Sequence, residues 1–234
     1  MDYLKGRKLE NWLGLFGVAG YIISLLANII PPSTYPGYNW MGQAISDLFA
    51  KNAPSRDLYT QFTTVSSAFG LVFVTLSCLY VQNRLNRTLR VGIYLFAVLS
   101  WVNNMGYTLF PLTESGYAGT LQDIIHVFVV TAAVVILSIA SFTVIMAGGY
   151  RNRKYRSIAI FATLSLCGLI IGTIGLGLAP LGYGGLMERL SVFSASGFSF
   201  VLGFYVFIGF DLMEGKRQTV SANGTNAKEA KEGL

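Results

Sequence analysis

Charge is what this 234-residue sequence has least of. Lys and Arg number 17 and Asp and Glu 11, together 12% of the chain, against roughly 25% in ordinary soluble domains. A soluble fold of this length needs charge to cover its surface, so an ordinary soluble enzyme is excluded. So is a disordered chain, because 53% of the residues are apolar and the mean hydropathy is +0.54. Histidine occurs once and cysteine twice. One imidazole with carboxylates suits a hard ion better than a tight zinc site. Cys78 and Cys167 fall inside apolar runs, where they read as small buried residues and not as a disulfide or a metal pair. The alternating pattern of a membrane barrel is absent, and so is any internal repeat of fixed period.

What is present is a set of long uncharged runs. They cover Asn11 to Ser46, Leu58 to Asn83, Val91 to Thr113, Ile124 to Tyr150, Ser157 to Met187 and Leu190 to Phe210. Each holds the roughly 20 apolar residues that carry a helix across about 30 Å of hydrocarbon. Backbone groups in lipid must satisfy one another, so these runs predict helices. The expectation is an all-α polytopic bundle of six spans, near Trp12–Ile30, Tyr59–Val81, Val91–Phe110, Ile124–Gly148, Ser157–Ala179 and Leu190–Leu212. Residues 1–11 precede it, 12–212 form the membrane domain, and 213–234 read as a polar, flexible tail. Asn28-Ile-Ile-Pro-Pro lacks the small-residue pattern of a cleaved signal peptide.

The net charge of +6 and the pI near 9.3 would suggest a nucleic-acid partner in a soluble chain. Here the charges sort by side. Fourteen of the 17 basic residues fall at the termini and in the loops after spans two and four, among them Arg84, Arg87, Arg90, Arg151, Arg153 and Arg156. The other side receives only Lys51, Arg56 and Arg189. The positive-inside rule then puts both termini in the cytoplasm and the bundle in the cell membrane, with no nucleic-acid partner.

The outer side carries five acids and three clusters of polar residues. In Trp40–Lys51 the apolar residues recur at helical spacing, leaving Gln43, Ser46 and Asp47 on another face. That predicts a short amphipathic helix between spans one and two, either an interfacial anchor or a cap that points Ser46 and Asp47 inward. In Gly119–His126, Thr120 and Asp123 have the spacing of a capping box, and Gln122, Asp123 and His126 share one side of a helix. His126 needs a partner at that depth, and Asp123 is the nearest candidate. In Gly184–Ser191, Glu188 and Arg189 are adjacent and so face different neighbours. Asp123 or Asp47 is a natural mate for Arg189, which leaves Glu188 for His126 or a ligand; an ion-pair pin between spans four and six is the plainer reading. Asn28, Asn103 and Asn104 read as hydrogen-bonding glue, and Gly168 and Gly172 as a close-packing motif.

Gln43-Ala-Ile-Ser-Asp-Leu48, Asn52-Ala-Pro54, Phe110-Pro111, Gly119-Thr-Leu-Gln-Asp-Ile-Ile-His126 and Gly185-Leu-Met-Glu-Arg189 together resemble the prokaryotic membrane-protein family known as domain of unknown function 998. The resemblance runs from about residue 12 to 212 and implies a compact six-helix bundle but no activity. It also implies a second histidine before Asp123, where this chain has Gln122, so a mechanism built on two histidines is not expected here.

Three functional readings follow. The first is an outward-facing polar pocket of Ser46, Asp47, Asp123, His126, Glu188 and Arg189 that binds or transports a lipid or small amphiphile, Arg189 meeting a phosphate or carboxylate. The second is an intramembrane lipid hydrolase or transferase with Ser46 as nucleophile, His126 as base and Asp123 or Glu188 as its orienter. The third is a non-catalytic accessory subunit with membrane-protein partners. None of the three requires a cofactor. No ring of acids marks an ion channel, and no lysine lies inside a span to carry a retinal Schiff base.

Overall fold

The computed structural model describes residues 8–178 and 182–210. The expected tail 213–234, the ends of spans five and six at Ala179 and Leu212, and most of segment 1–11 lie outside the described residues. Within them, six long helices follow the six uncharged runs. They are α1 (Gly14–Ala27, led by the single turn Leu9–Trp12), α2 (Arg56–Tyr80), α3 (Arg87–Leu109), α4 (Leu121–Tyr150), α5 (Arg156–Leu178) and α6 (Gly184–Ile208). Five of these segments are long and apolar enough to cross a membrane. Helix α3, with 23 residues, is more polar because it opens on Arg87 and Arg90 and carries Asn103 and Asn104. It nevertheless stands in line with the others, and the chain is an all-α polytopic membrane bundle.

Each helix packs on its neighbours in sequence and α6 closes back on α1, so the six form a ring. Five of the six seams use glycine to bring backbones together, Gly149 of α4 against Ala159 of α5 among them. Gly17 and Gly20 of α1 meet Phe73 and the Gly70 amide of α2; Gly92 of α3 and Gly148 of α4 face Ile145 and Leu89. Gly168 and Gly172 of α5 meet Ser194 and Ser191 of α6, and Gly14 meets Gly203 on the α1–α6 seam. Close approach of this kind lets dispersion and short polar contacts hold helices together where lipid supplies no hydrophobic drive. Ser141 Oγ, for example, donates to the Gly92 carbonyl at 3.0 Å. The sequence-predicted glue is only partly such: Asn104 accepts from Ser67 of α2, Asn28 donates within its own helix to the Ser24 carbonyl, and Asn103 is exposed.

The apolar core fills the half of the ring near the short turns 81–86 and 151–155. At its centre Phe96, Phe142 and Phe198 meet with centroids 5.1 to 6.0 Å apart. Outward faces carry residues such as Leu79, Ile136, Leu164 and Ile171, each more than half exposed, as a lipid-facing surface requires. Arg84, Arg87, Arg90, Arg151, Arg153 and Arg156 crowd the short-turn end. Asn86 is the N-cap of α3, its side chain accepting from the Leu89 amide at 2.9 Å.

The long loops 28–55 and 110–120 cover the other end. Here the structure revises one element. The amphipathic helix expected over Trp40–Lys51 is helical only over Ser46–Phe49, as one 3-10 turn. The reason lies in α6. The carbonyls of residues 40–43, which a helix would spend on amides four residues later, accept instead from Arg189 Nη1 (Trp40 and Gln43) and from the Leu186 and Gly185 amides (Met41 and Gly42).

Candidate functional site

The loop-covered end holds every candidate residue, but in two networks and not in one pocket. The first is built on the N-terminus of α6. Arg189 is 1% exposed, and its Nη1 donates to the carbonyls of Trp40 (2.8 Å), Gln43 (2.9 Å) and Gly185 (2.9 Å). Its Nη2 donates to the Tyr38 hydroxyl at 2.5 Å, and its guanidinium carbon lies 4.6 Å from the Trp40 ring centroid and 5.8 Å from that of Tyr38. Burial pushes the Tyr38 phenol up from its ordinary pKa, the guanidinium partly opposing the rise. The phenol therefore keeps its proton and donates it to the Ala44 carbonyl at 2.9 Å. Glu188, beside Arg189, takes the Ile45 amide at 2.6 Å. The expected mates Asp47 and Asp123 do not pair with Arg189: among the described residues the one ion pair is Glu10–Arg84, at the opposite end.

Asp47 is buried and acts as a loop staple. It accepts from the Ala44 amide at 3.0 Å and from the Gly116 amide at 2.8 Å, while its carbonyl takes Ser115 Oγ at 3.2 Å. It thereby ties the first long loop to the second. Ser46, next to it, is partly buried, and no side-chain hydrogen bond from it is present among the described residues.

The second network opens α4. Thr120 and Asp123 form the capping box that the spacing predicts. Asp123, 0% exposed, also accepts from the Thr113 amide and hydroxyl, both at 2.7 Å. Gln122 donates to the Pro111 carbonyl and accepts from Lys51 Nζ at 3.0 Å. His126 does not turn to Asp123. Its Nδ1 lies 2.7 Å from the Phe110 carbonyl, and its ring sits between Tyr107 (4.8 Å) and Phe49 (6.0 Å). A π-helical turn over Ile125–Val130, sealed by Thr131 Oγ1 on the His126 carbonyl at 3.0 Å, sets this direction. Replacing Asp123 by alanine frees the Thr113 and Thr120 amides. We expect faster amide hydrogen exchange across residues 110–124 and a lower melting temperature; unchanged exchange there would show that the loop holds itself.

Asp47, Asp123, His126 and Glu188 thus do not converge, and among the described residues no group of three His, Cys, Asp or Glu is placed to hold a metal ion. Tyr38, Trp40, Phe49, Tyr107 and Thr113 complete the networks and carry no motif that would single them out.

Beside Arg189 an open groove of about 320 Å³ runs along α6, walled by Trp40, Leu186, Leu190, Phe193 and Ser194. Its lining is apolar except for Ser194 and the arginine. The Nε of Arg189 is buried and has no partner among the described residues.

A family model described as "Protein of unknown function (DUF998)" matches residues 18–205. The chain belongs to this family. The match spans α1 to α6 and both long loops, so the two networks lie within what defines it. Comparison with curated proteins and with solved structures gave no match.

Proposed function

We propose that this DUF998 member binds an amphiphile of its own bilayer, with the apolar tail in the Trp40–Phe193 groove and an acceptor head group at Arg189. The observation that carries this reading is the state of Arg189: 1% exposed, without a carboxylate among the described residues, with a buried partnerless Nε, and among the residues that line an open apolar groove. A buried cation is costly unless its donors are met, and a phosphate or carboxylate oxygen is a strong acceptor for those still unmet. Trp40, 40% exposed, adds an aromatic edge of the kind that sits at membrane interfaces. On the positive-inside rule the groove opens to the outer leaflet of the cell membrane and both termini are cytoplasmic. The hydrolase reading has less behind it, since no hydrogen bond joins Ser46 to His126 among the described residues.

Leu190 lies on the groove wall and is 39% exposed, so Leu190→Trp fills the groove without disturbing the Arg189 bonds. Native mass spectrometry of gently extracted protein is expected to show a bound amphiphile on the wild type. Leu190→Trp should lose it while melting at the wild-type temperature. An identical bound profile for the two proteins sinks the proposal.

A further inference from the structure

The α2–α3 seam differs from the five that glycine closes. Two polar contacts join it, Ser67 to Asn104 and Trp101 Nε1 to Thr75 Oγ1 at 3.1 Å. Below the second contact the helices part around a slot of about 420 Å³, open to the lipid side. On α3, Tyr94, Val98 and Trp101 form one stripe, with Arg90 one turn earlier on the same line. Thr75, Cys78 and Leu79 of α2, with Gln82 in the turn that follows, form the facing wall. At the Gln82 end of the slot Arg90 donates from Nη1 to the Gln82 carbonyl, and its Nε is buried with no partner among the described residues.

We infer that this slot binds one anionic glycerophospholipid of the leaflet at the arginine-rich end, an acyl chain lying between α2 and α3 and the phosphate at Arg90. The walls supply the tail site: Leu79, Val98 and Trp101 are 64%, 49% and 44% exposed, facing hydrocarbon and not another helix. The rim supplies the head site. Arg84, Arg87 and Arg90 lie within seven residues of chain, and Glu10, paired with Arg84, is the one acid at this end among the described residues. Arg87 and Arg90 therefore present cations that a phosphate answers, and a guanidinium binds it through fixed, parallel donors. A free phosphate would have no use for the slot, and a neutral lipid none for the arginines. The site is separate from the Arg189 groove and lies at the other end of the ring.

The test titrates the full-length protein in mild detergent with phosphatidylglycerol and, separately, phosphatidylcholine of the same chains, reading bound lipid by native mass spectrometry. The wild type is expected to bind one phosphatidylglycerol about five- to tenfold more tightly than phosphatidylcholine. Arg90→Gln should lose that preference. Val98→Trp, which fills the slot from an exposed position and leaves the fold intact, should lose the lipid altogether. Leu190→Trp should keep the preference, which separates this site from the groove at the other end. Equal affinities for the two lipids, wild-type binding by Val98→Trp, or a second copy of the chain in the slot, seen as a dimer that Val98→Trp dissociates, overturns the inference.

Discussion

Replacing Arg189 with methionine is expected to destabilise the bundle by about 4 kcal/mol. The loss does not come from an ion pair, because no carboxylate holds this guanidinium among the described residues. It comes from what the side chain leaves behind. The carbonyls of Trp40 and Gln43 and the Tyr38 hydroxyl lose a charged donor, and each buried group left without a partner costs about 1–3 kcal/mol. Methionine has the length to fill the space but no donor to offer. Exchanging a buried ion pair for apolar residues is often neutral because both charges leave together; here the carbonyls of Trp40 and Gln43 are main chain and cannot leave. Loop 28–55 would come away from α6, with Trp40 moving into a wetter setting. Thermal unfolding in detergent and the position of Trp40 emission read the two effects. A methionine variant that melts with the wild type would show that the Leu186 and Gly185 amides and Glu188 hold the loop without the arginine.

Gly92→Leu is expected to cost about 3–4 kcal/mol, the upper end of what overpacking does. A Cβ at Gly92 would stand 2.6 Å from Ile145 Cγ1 and 2.7 Å from the Ile145 amide nitrogen. The side-chain atom could swing away, but the amide belongs to α4 and moves only if the helix does. Separating α3 from α4 would also break the bond from Ser141 Oγ to the Gly92 carbonyl. The clash begins at Cβ, so Gly92→Ala should already lose about half as much. Gly70→Ala is the control with opposite sign. A Cβ there meets nothing within 4 Å, and alanine gains about 0.5–1 kcal/mol of helix propensity. Unfolding midpoints for the three variants settle the comparison; equal effects at positions 70 and 92 would mean that the seams tolerate widening.

Both cases show where sequence reading reaches and where it stops. The Gly168/Gly172 spacing was legible as a packing motif because small residues one turn apart leave the same mark in any helix. The capping box of Thr120 and Asp123 was legible for the same reason: both partners lie within four residues. The partners of Arg189, Glu188 and His126 were not. Arg189 reaches Trp40 across 149 positions and Glu188 reaches Ile45 across 143, and in each case the partner is a main-chain group that any residue would supply. An acid-to-base search over side chains could not find them. His126 was placed beside Asp123 by a 3.6-residue period, and the π turn at Ile125–Val130 broke that period at the histidine itself.

What the amino-acid sequence determines by itself is the membrane bundle: six uncharged runs too long for anything but spanning helices, with the basic residues gathered at one end. Lipid enforces that outcome through local rules, since a backbone without water must close its hydrogen bonds within the helix. Only the tertiary structure decides what the scarce charges at the other end do. There the chain folds its long loops over the ring, and buried carboxylates and one arginine are met by loop amides and carbonyls instead of by each other. Such pairings depend on shape and not on residue type. They leave the buried Nε of Arg189, a residue on the wall of an apolar groove, without a partner, and that is the feature on which the amphiphile proposal rests.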